Sequence, residues 1–160
     1  MCLVIDADCL ASVFKVKDKR HPLFKPVLDW ISNGKGRMIY GGTKYNTELT
    51  KVTEVLPIVG ELSRRRKTVR LSNALVDPIA SALKARVLDP KFNDEHLAAL
   101  VIASRCCVVC TDDNVAISYL RRPALFADYA GVIRPSIYRG RKNHNKLCCD
   151  KHVVEICREG

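Results

Sequence analysis

The sequence predicts an α/β fold, a three-layer α/β/α sandwich with a central, mainly parallel sheet. Short apolar runs such as 3–5 and 106–110 are typical of strands that are buried on both faces. Between these runs lie longer stretches whose apolar residues recur at helical spacing. Strands that alternate with helices favour a parallel sheet with helices on both faces.

The first half of the chain alternates between strand and helix patterns. We expect strands at 3–5, 37–41 and 68–71, and helices at 9–14, 26–32 and 43–56. Asp8 is a candidate cap for the first helix, and a lysine-rich loop follows at 15–25. Pro57 ends or kinks the third helix, since proline cannot continue a helix without a break. A further helical stretch then leads to the basic run at 64–67.

The second half of the chain continues the same alternation. We expect helices at 77–87, 94–105 and 116–120, and strands at 106–110 and 132–138. Pro135 interrupts the last strand, which places that strand at an edge of the sheet. With 160 residues, of which 48% are hydrophobic, the chain has the length of one domain and can bury about two thirds of its unfolded surface.

The charge of the chain favours an anionic partner. Lys and Arg number 27 against 17 acidic residues, which gives a formal net charge of +10. Nucleic acid is the first candidate for such a partner and an acidic membrane surface the second. The longest apolar run, at 97–103, is too short to span a bilayer, and the chain opens without a signal-peptide pattern. We therefore expect a cytoplasmic protein with no membrane partner.

Eight cysteines occur, and they do not predict a disulfide scaffold. A core of this size needs no covalent cross-link, so we expect reduced thiols that pack as small hydrophobic groups. The cysteines within apolar segments are Cys2, Cys9, Cys106, Cys107 and Cys110. The C-terminal segment carries further cysteines and histidines, without the paired spacing that is typical of a zinc finger.

Four acidic residues lie at the edge of, or inside, apolar segments: Asp6, Glu48, Asp94 and Asp113. An unpaired carboxylate in such a place is costly unless a positive group compensates it. Taken singly, each has an ordinary structural explanation. Asp94 is a candidate helix cap, Asp113 a turn residue, and Glu48 an acid beside the apolar stripe that Leu49 defines.

Together, the segments around these acids resemble the successive motifs of PIN-domain ribonucleases. The motifs are Val4-Ile5-Asp6-Ala7-Asp8, Thr47-Glu48-Leu49, Asn93-Asp94-Glu95-His96-Leu97 and Val108-Val109-Cys110-Thr111-Asp112-Asp113. The four acids are 42, 46 and 19 residues apart, and they follow the order strand end, helix, helix start and strand end. The family usually has Asn where Asp8 stands. The resemblance covers residues 2–138.

The resemblance implies a PIN-like nuclease domain at 1–138, with 139–160 as a basic C-terminal extension of the same domain. It also implies a metal-dependent endoribonuclease that uses Mg²⁺ or Mn²⁺ to hydrolyse RNA. Asp6 would be the central ligand, Asp94 and Asp113 further ligands, and Glu48 a ligand through water or the group that orients the attacking water. Either Asp112 or Asp113 faces the metal. Carboxylates suit both ions, because hard cations prefer oxygen ligands.

Substrate RNA would be held by basic residues outside the acidic pocket. We expect these contacts from Lys15, Arg64, Arg65, Arg139, Arg141 and Lys142. Small proteins of this family are often toxins, which implies a possible antitoxin partner, and many relatives form homodimers.

Two alternatives remain open. The start Asp6-Ala7-Asp8 also resembles phosphatases of the haloacid-dehalogenase type, in which Asp6 would be the nucleophile and Asp8 the acid and base. The third hypothesis is a catalytically silent RNA-binding or interaction module, whose acids would be caps and turn residues.

Overall fold

A five-stranded, all-parallel sheet lies at the centre of the chain in a computed structural model, which describes residues 2–152 and 154–158. Its strands are β1 (Cys2–Ile5), β2 (Arg37–Gly41), β3 (Thr68–Leu71), β4 (Val108–Cys110) and β5 (Ser136–Tyr138). Their order across the sheet is β3-β2-β1-β4-β5. The prediction of an α/β fold with a parallel sheet is therefore confirmed.

The central strand β1 is covered on both faces. Val4 pairs with Ile39 of β2 on one side and with Val109 of β4 on the other. Every residue of β1 and of β4 is buried. Continuous burial along a strand requires layers on both faces of the sheet, which explains why these segments are apolar without alternation.

Helices supply those layers, consistent with a three-layer sandwich. They are α1 (Ala7–Phe14), α2 (His21–Asn33), α3 (Thr43–Lys51), α4 (Leu56–Arg64), α5 (Asn73–Arg86), α6 (Glu95–Ser104) and α7 (Asn114–Leu120). Helix α6 contacts β1, β2, β3 and β4 and packs along α5, while α1 packs against α2. Eight of the ten residues of α6 are buried, so this helix belongs to the core rather than to an amphipathic surface layer.

Two predicted helix boundaries are wrong, and in both cases a proline lies in the first turn of a helix. The expected loop at 15–25 ends early, because α2 already begins at His21 and has Pro22 in its first turn. The expected helix at 43–56 ends at Lys51, and Pro57 lies in the first turn of α4. Proline is tolerated at a helix start, where its missing N–H would have no partner in any case.

The other boundaries differ by shorter stretches. Helix α5 begins at Asn73, four residues before the predicted start at 77. The last strand occupies only Ser136–Tyr138, after Pro135, and it lies at the sheet edge as expected. No helix in 2–152 and 154–158 combines the length and apolar character that crossing a membrane requires.

The C-terminal extension returns to the sheet through three short 3-10 helices, at Lys142–Leu147, Asp150–His152 and Glu155–Cys157. Cys157 is buried and forms a disulfide with Cys2, the first residue of β1, with a Cα–Cα distance of 6.3 Å. The expectation of reduced cysteines is therefore wrong for this pair. Spacing gave no sign of the pairing, since the two residues are 155 positions apart. Cys9, Cys106, Cys107 and Cys110 are free thiols, as expected.

Candidate active site

The crevice at the carboxyl ends of β1 and β4 is the candidate site. From β1 the chain continues to β2 and β3 on one side of the sheet, and then crosses to β4 and β5 on the other. Connections therefore leave β1 and β4 in opposite directions. In open parallel sheets such a switch point leaves a crevice where ligands bind.

Asp6 follows β1 directly and lies deep in this crevice, with 6% of its surface exposed. Its amide donates to the carbonyl oxygen of Cys110 at 2.9 Å, and its Oδ2 accepts a hydrogen bond from Oγ1 of Thr111 at 2.6 Å. Burial raises the pKa of Asp6, and the charge of nearby Asp8 raises it further, whereas the Thr111 hydroxyl works in the opposite direction. The carboxyl group is thus held in place but remains electrostatically costly.

Asp94 stands immediately before α6, in the position of a helix cap. Its side chain nevertheless makes no capping hydrogen bond. Burial raises the pKa of Asp94 to about 6, and the charges of Asp6 and Asp113 contribute to that rise. Asp94 therefore lies close enough to Asp6 and to Asp113 for their negative charges to act on it. The simple cap explanation does not account for Asp94.

Asp113 has two roles in the structure. Its Oδ1 accepts from the amides of Val115 at 2.6 Å and Ala116 at 3.3 Å, which makes it the N-terminal cap of α7. It also lines a small cavity of about 300 Å³ together with Asp94. The same side chain therefore caps α7 and borders the cavity beside Asp94.

Asp112 faces a different environment. Its Oδ1 lies 3.4 Å from Nη2 of Arg139, and its Oδ2 lies 3.7 Å from Nη1 of Arg20. Two arginines thus compensate this carboxylate, whereas Asp113 borders the cavity of Asp94. Of the two neighbouring acids, Asp113 is the one associated with the crevice.

Glu48 is half-buried on α3, beside the stripe formed by Tyr45 and Leu49. Its Oε2 lies 3.0 Å from Nε2 of His96, although neither ring nitrogen of that buried histidine has an aligned hydrogen-bond partner. Burial acts to raise the pKa of Glu48, but the contact with His96 and the charge of Lys44 outweigh it and lower the pKa. Burial raises the pKa of Tyr45, and the charges of Asp6 and Glu48 raise it further.

Two lysines that contact Glu95, the neighbour of Asp94, were not predicted. Lys44 lies 3.0 Å from Oε1 of Glu95 and donates to the carbonyl oxygen of Asn93, and Lys84 lies 3.8 Å from Oε2 of Glu95. Both line a cavity of about 690 Å³. The sequence held one signal for Lys44, which lies one helical turn before Glu48 on α3 and so on the same face of that helix.

The carboxylates supply the right donor chemistry for a hard cation, but they are not yet arranged as a ligand set. Within 2–152 and 154–158, no three His, Cys, Asp or Glu side chains stand so that one metal ion could bind them all. The same holds for the described cysteines and histidines of the C-terminal extension. In that extension, Sγ of Cys149 lies 3.5 Å from Nδ1 of His152.

Most of the basic residues expected to bind RNA have partners within the chain. Lys15 pairs with Glu54, and Arg64 with Glu61 at 2.6 Å. Arg139 contacts Asp112 and donates to Oδ1 of Asn114 at 2.9 Å. Arg65 donates to the carbonyl oxygen of Ser32 at 3.1 Å. Arg141 and Lys142 are exposed at the start of the C-terminal extension.

Comparison with known proteins adds no relative: the chain matches no protein-family model, no curated protein and no solved structure.

Proposed function

We propose that this protein is a metal-dependent endoribonuclease, which hydrolyses RNA phosphodiester bonds with Mg²⁺ or Mn²⁺ held by Asp6, Asp94 and Asp113. The observation that carries the proposal is the pKa of Asp94, which burial and then the charges of the other two acids raise to about 6. Carboxylates that repel one another in a crevice cost stability, and such groups concentrate at functional sites.

A divalent cation suits these side chains chemically. All the donors are carboxylate oxygens, and a cation relieves the repulsion that raises the pKa of Asp94. When bound, the ion neutralises charge on a phosphate and makes water more acidic. Since no three described donors lie around one point, binding requires at least one carboxylate to move.

The remaining residues of the crevice have roles that do not depend on the ion. Thr111 fixes the orientation of Asp6. Glu48 stays ionised near neutral pH, because the contact with His96 and the charge of Lys44 lower its pKa despite burial. It is therefore better suited to orient a water molecule as a hydrogen-bond acceptor than to remove a proton from it.

RNA is the proposed substrate because positive charge lies beside the acids as well as over the whole chain. The net charge is +10. The charge of Lys44 acts on Glu48 and Asp94, so this lysine would offset part of the repulsion between the carboxylates and a phosphate backbone. The family resemblance also implies an antitoxin partner and a homodimer, and both stay predictions.

The test is cleavage of an end-labelled single-stranded RNA by the full chain in Mn²⁺ or Mg²⁺. We expect cleavage that EDTA stops and that Asp94→Asn lowers by about 100-fold or more, because the ion loses a charged ligand and even a group that supports a ligand is worth about 10- to 100-fold. Asp29→Asn, on the outer helix α2, is the charge-matched control and should cleave normally. Full activity of Asp94→Asn, with a normal circular dichroism spectrum, would overturn the proposal.

A second candidate is the catalytically silent RNA-binding module, and specific contacts favour it. Glu48 already has His96 as a partner, and Asp113 already caps α7. This candidate predicts RNA binding without turnover in any divalent metal. Under it, Asp94→Asn leaves the affinity for RNA unchanged or raises it, because a negative charge is removed.

A further inference from the structure

A basic cleft lies beside the edge strand β5, and we call it the β5-edge cleft. Its walls come from the end of α7, the start of β5 and the first 3-10 helix of the C-terminal extension. The cleft measures about 410 Å³, within the usual range of small-ligand sites. Three of its eight lining residues are the cations Arg121, Arg134 and Lys146, and none of the eight is acidic.

The three cations keep their positive charge in the cleft. Nη1 of Arg134 donates to the carbonyl oxygen of Arg121 at 3.1 Å. A carbonyl oxygen orients a guanidinium group without adding a formal negative charge. No acidic side chain that the structure describes forms an ion pair with Arg121, Arg134 or Lys146. Their charge is therefore available to a ligand.

His144 adds a neutral hydrogen-bond donor to the cleft. Its Nδ1 accepts from the amide of Arg139 at 2.9 Å, and since an amide can only donate, the proton of the neutral ring lies on Nε2. Burial lowers the pKa of His144, and the charges of Arg141, Lys146 and Arg121 are among those that lower it further. The ring is therefore neutral near pH 7, and its Nε2–H can donate to an anion.

The edge strand supplies two more neutral donors, the exposed hydroxyl of Ser136 and the amide of Ile137. The amide of Ser136 donates to the carbonyl oxygen of Cys107 at 2.8 Å, and the carbonyl oxygen of Tyr138 accepts from the amide of Thr111 at 3.1 Å. Ser136 and Tyr138 thus bond to the β4 side. Alternate residues of an edge strand turn their main-chain groups outward, so the amide of Ile137 lies on the side away from β4.

An apolar wall lies beside these polar groups. Pro135 and Ile137 are buried and Leu147 is half-buried, and all three line the cleft. Small-molecule sites typically combine apolar walls with a few polar groups that fix the orientation of the ligand. A free inorganic anion would leave this wall unused, whereas an anion that carries an organic group would cover it.

We propose that the β5-edge cleft binds an organic phosphate monoester, with its phosphate at the cations and its organic group against the apolar wall. A phosphate monoester carries a charge of about −1.5 to −2 at pH 7 and three oxygens that accept strong hydrogen bonds. Arginine side chains match the geometry of phosphate. An RNA backbone would instead need positive charge along an extended groove. The proposal is independent of the ribonuclease assignment, because none of the site acids lines this cleft.

The experiment is isothermal titration calorimetry of the full chain with phenyl phosphate. The buffer is free of phosphate and contains EDTA, so that no metal ion in the acidic crevice can bind the probe. The double variant Arg121→Gln/Lys146→Gln removes two charges from the cleft. Both side chains are exposed, and a normal circular dichroism spectrum checks that the variant folds. We expect its affinity for phenyl phosphate to fall by about tenfold or more, because hydrogen bonds to charged groups are strong.

The matched control is Lys17→Gln/Arg70→Gln. Both side chains are exposed and neither lines the β5-edge cleft. Arg70 lies on β3, at the opposite edge of the sheet, and Lys17 lies in the loop between α1 and α2. The control therefore removes the same charge elsewhere. Its affinity for phenyl phosphate should stay within about twofold of the wild-type value, since distant charges are screened by salt.

A second titration, with inorganic phosphate, tests the apolar wall. Inorganic phosphate should bind more weakly than phenyl phosphate, because it buries no apolar surface. Equal affinity for the two compounds overturns the assignment to a monoester. No saturable binding of phenyl phosphate, or an equal loss in the control variant, overturns the proposal altogether. So does a cleft variant that binds phenyl phosphate normally and loses affinity only for a single-stranded RNA oligonucleotide without terminal phosphates.

Discussion

Thr111 donates its hydroxyl hydrogen to Oδ2 of Asp6 at 2.6 Å, and so links the ends of the two central strands β1 and β4. The same hydroxyl oxygen accepts from the amide of Asp113 at 3.2 Å. Thr111 is fully buried, and Asp6 nearly so. The Thr111 hydroxyl group therefore fixes the orientation of the Asp6 carboxylate and holds the backbone amide of Asp113, the next site acid.

Replacing this hydroxyl should destabilise the protein. We expect Thr111→Val to lower the free energy of unfolding by about 1–3 kcal/mol, because Asp6 loses its side-chain donor while it remains buried. Urea denaturation at neutral pH measures the change. Thr111→Ser keeps the hydroxyl and should recover most of the difference. A valine variant as stable as the wild type would contradict the role assigned to this bond.

The raised pKa of Asp94 predicts a particular dependence of stability on pH. In the folded chain Asp94 keeps its proton up to about pH 6, whereas the ordinary pKa of an aspartate is 3.8. Between these two pH values the folded state therefore binds more protons than the unfolded state. The contribution of Asp94 thus favours folding at low pH and is lost as the pH rises through about 6.

Thermal unfolding of the wild type and of Asp94→Asn across this range tests the prediction. The midpoint of the variant should rise relative to the wild type between about pH 4 and pH 7. Saturating Mn²⁺ should reduce the difference if the ion binds at this site. Asp29→Asn serves as the charge control, and the same trend in that variant would refute the assignment to Asp94.

Two glycines should respond to alanine in opposite directions. Gly41 ends β2 with φ 144°, and a Cβ there would lie 2.2 Å from the carbonyl oxygen of Leu71. Gly60 lies inside α4, and a Cβ there would meet nothing within 4 Å. We expect Gly41→Ala to cost about 2 kcal/mol or more, and Gly60→Ala to gain about 0.5–1 kcal/mol. Chemical denaturation of both variants tests the local geometry, and equal effects would show it to be wrong.

The disulfide should contribute measurably to stability. It closes a loop of 155 residues between Cys2 and Cys157, and the loss of such a cross-link typically costs about 2–5 kcal/mol. We expect a reducing agent to lower the melting temperature of the wild type and to leave that of Cys157→Ser unchanged. A wild-type melting temperature that does not respond to the reductant would show that the bond is not formed in solution.

Local patterns were enough to predict most of the sheet. The strands at 37–41 and 68–71 have the predicted bounds. Helix starts were harder to place. Local patterns place Pro22 in a loop and Pro57 at a helix end, although each lies in the first turn of a helix, where proline is favourable.

Features that depend on tertiary contacts could not be predicted in the same way. The pairing of Cys2 with Cys157 and the position of Lys44 beside Glu95 need the folded chain. The proximity of Asp6 and Asp94 was expected only through the family resemblance, since spacing along the chain does not determine distance in space. Their electrostatic interaction supports that expectation, while the contact between Glu48 and His96 was not anticipated.

Helix α6 is packed on nearly all sides and carries Asp94 just before its first turn and His96 within it. The backbone of α6 cannot shift far unless a large part of the interior rearranges, because closely packed interiors resist small displacements. Surplus stability of the core thus offsets the repulsion on Asp94, while its partly exposed side chain is left able to rearrange when an ion binds. Evolution could alter what the crevice binds by changing its rim and leave this rigid support untouched.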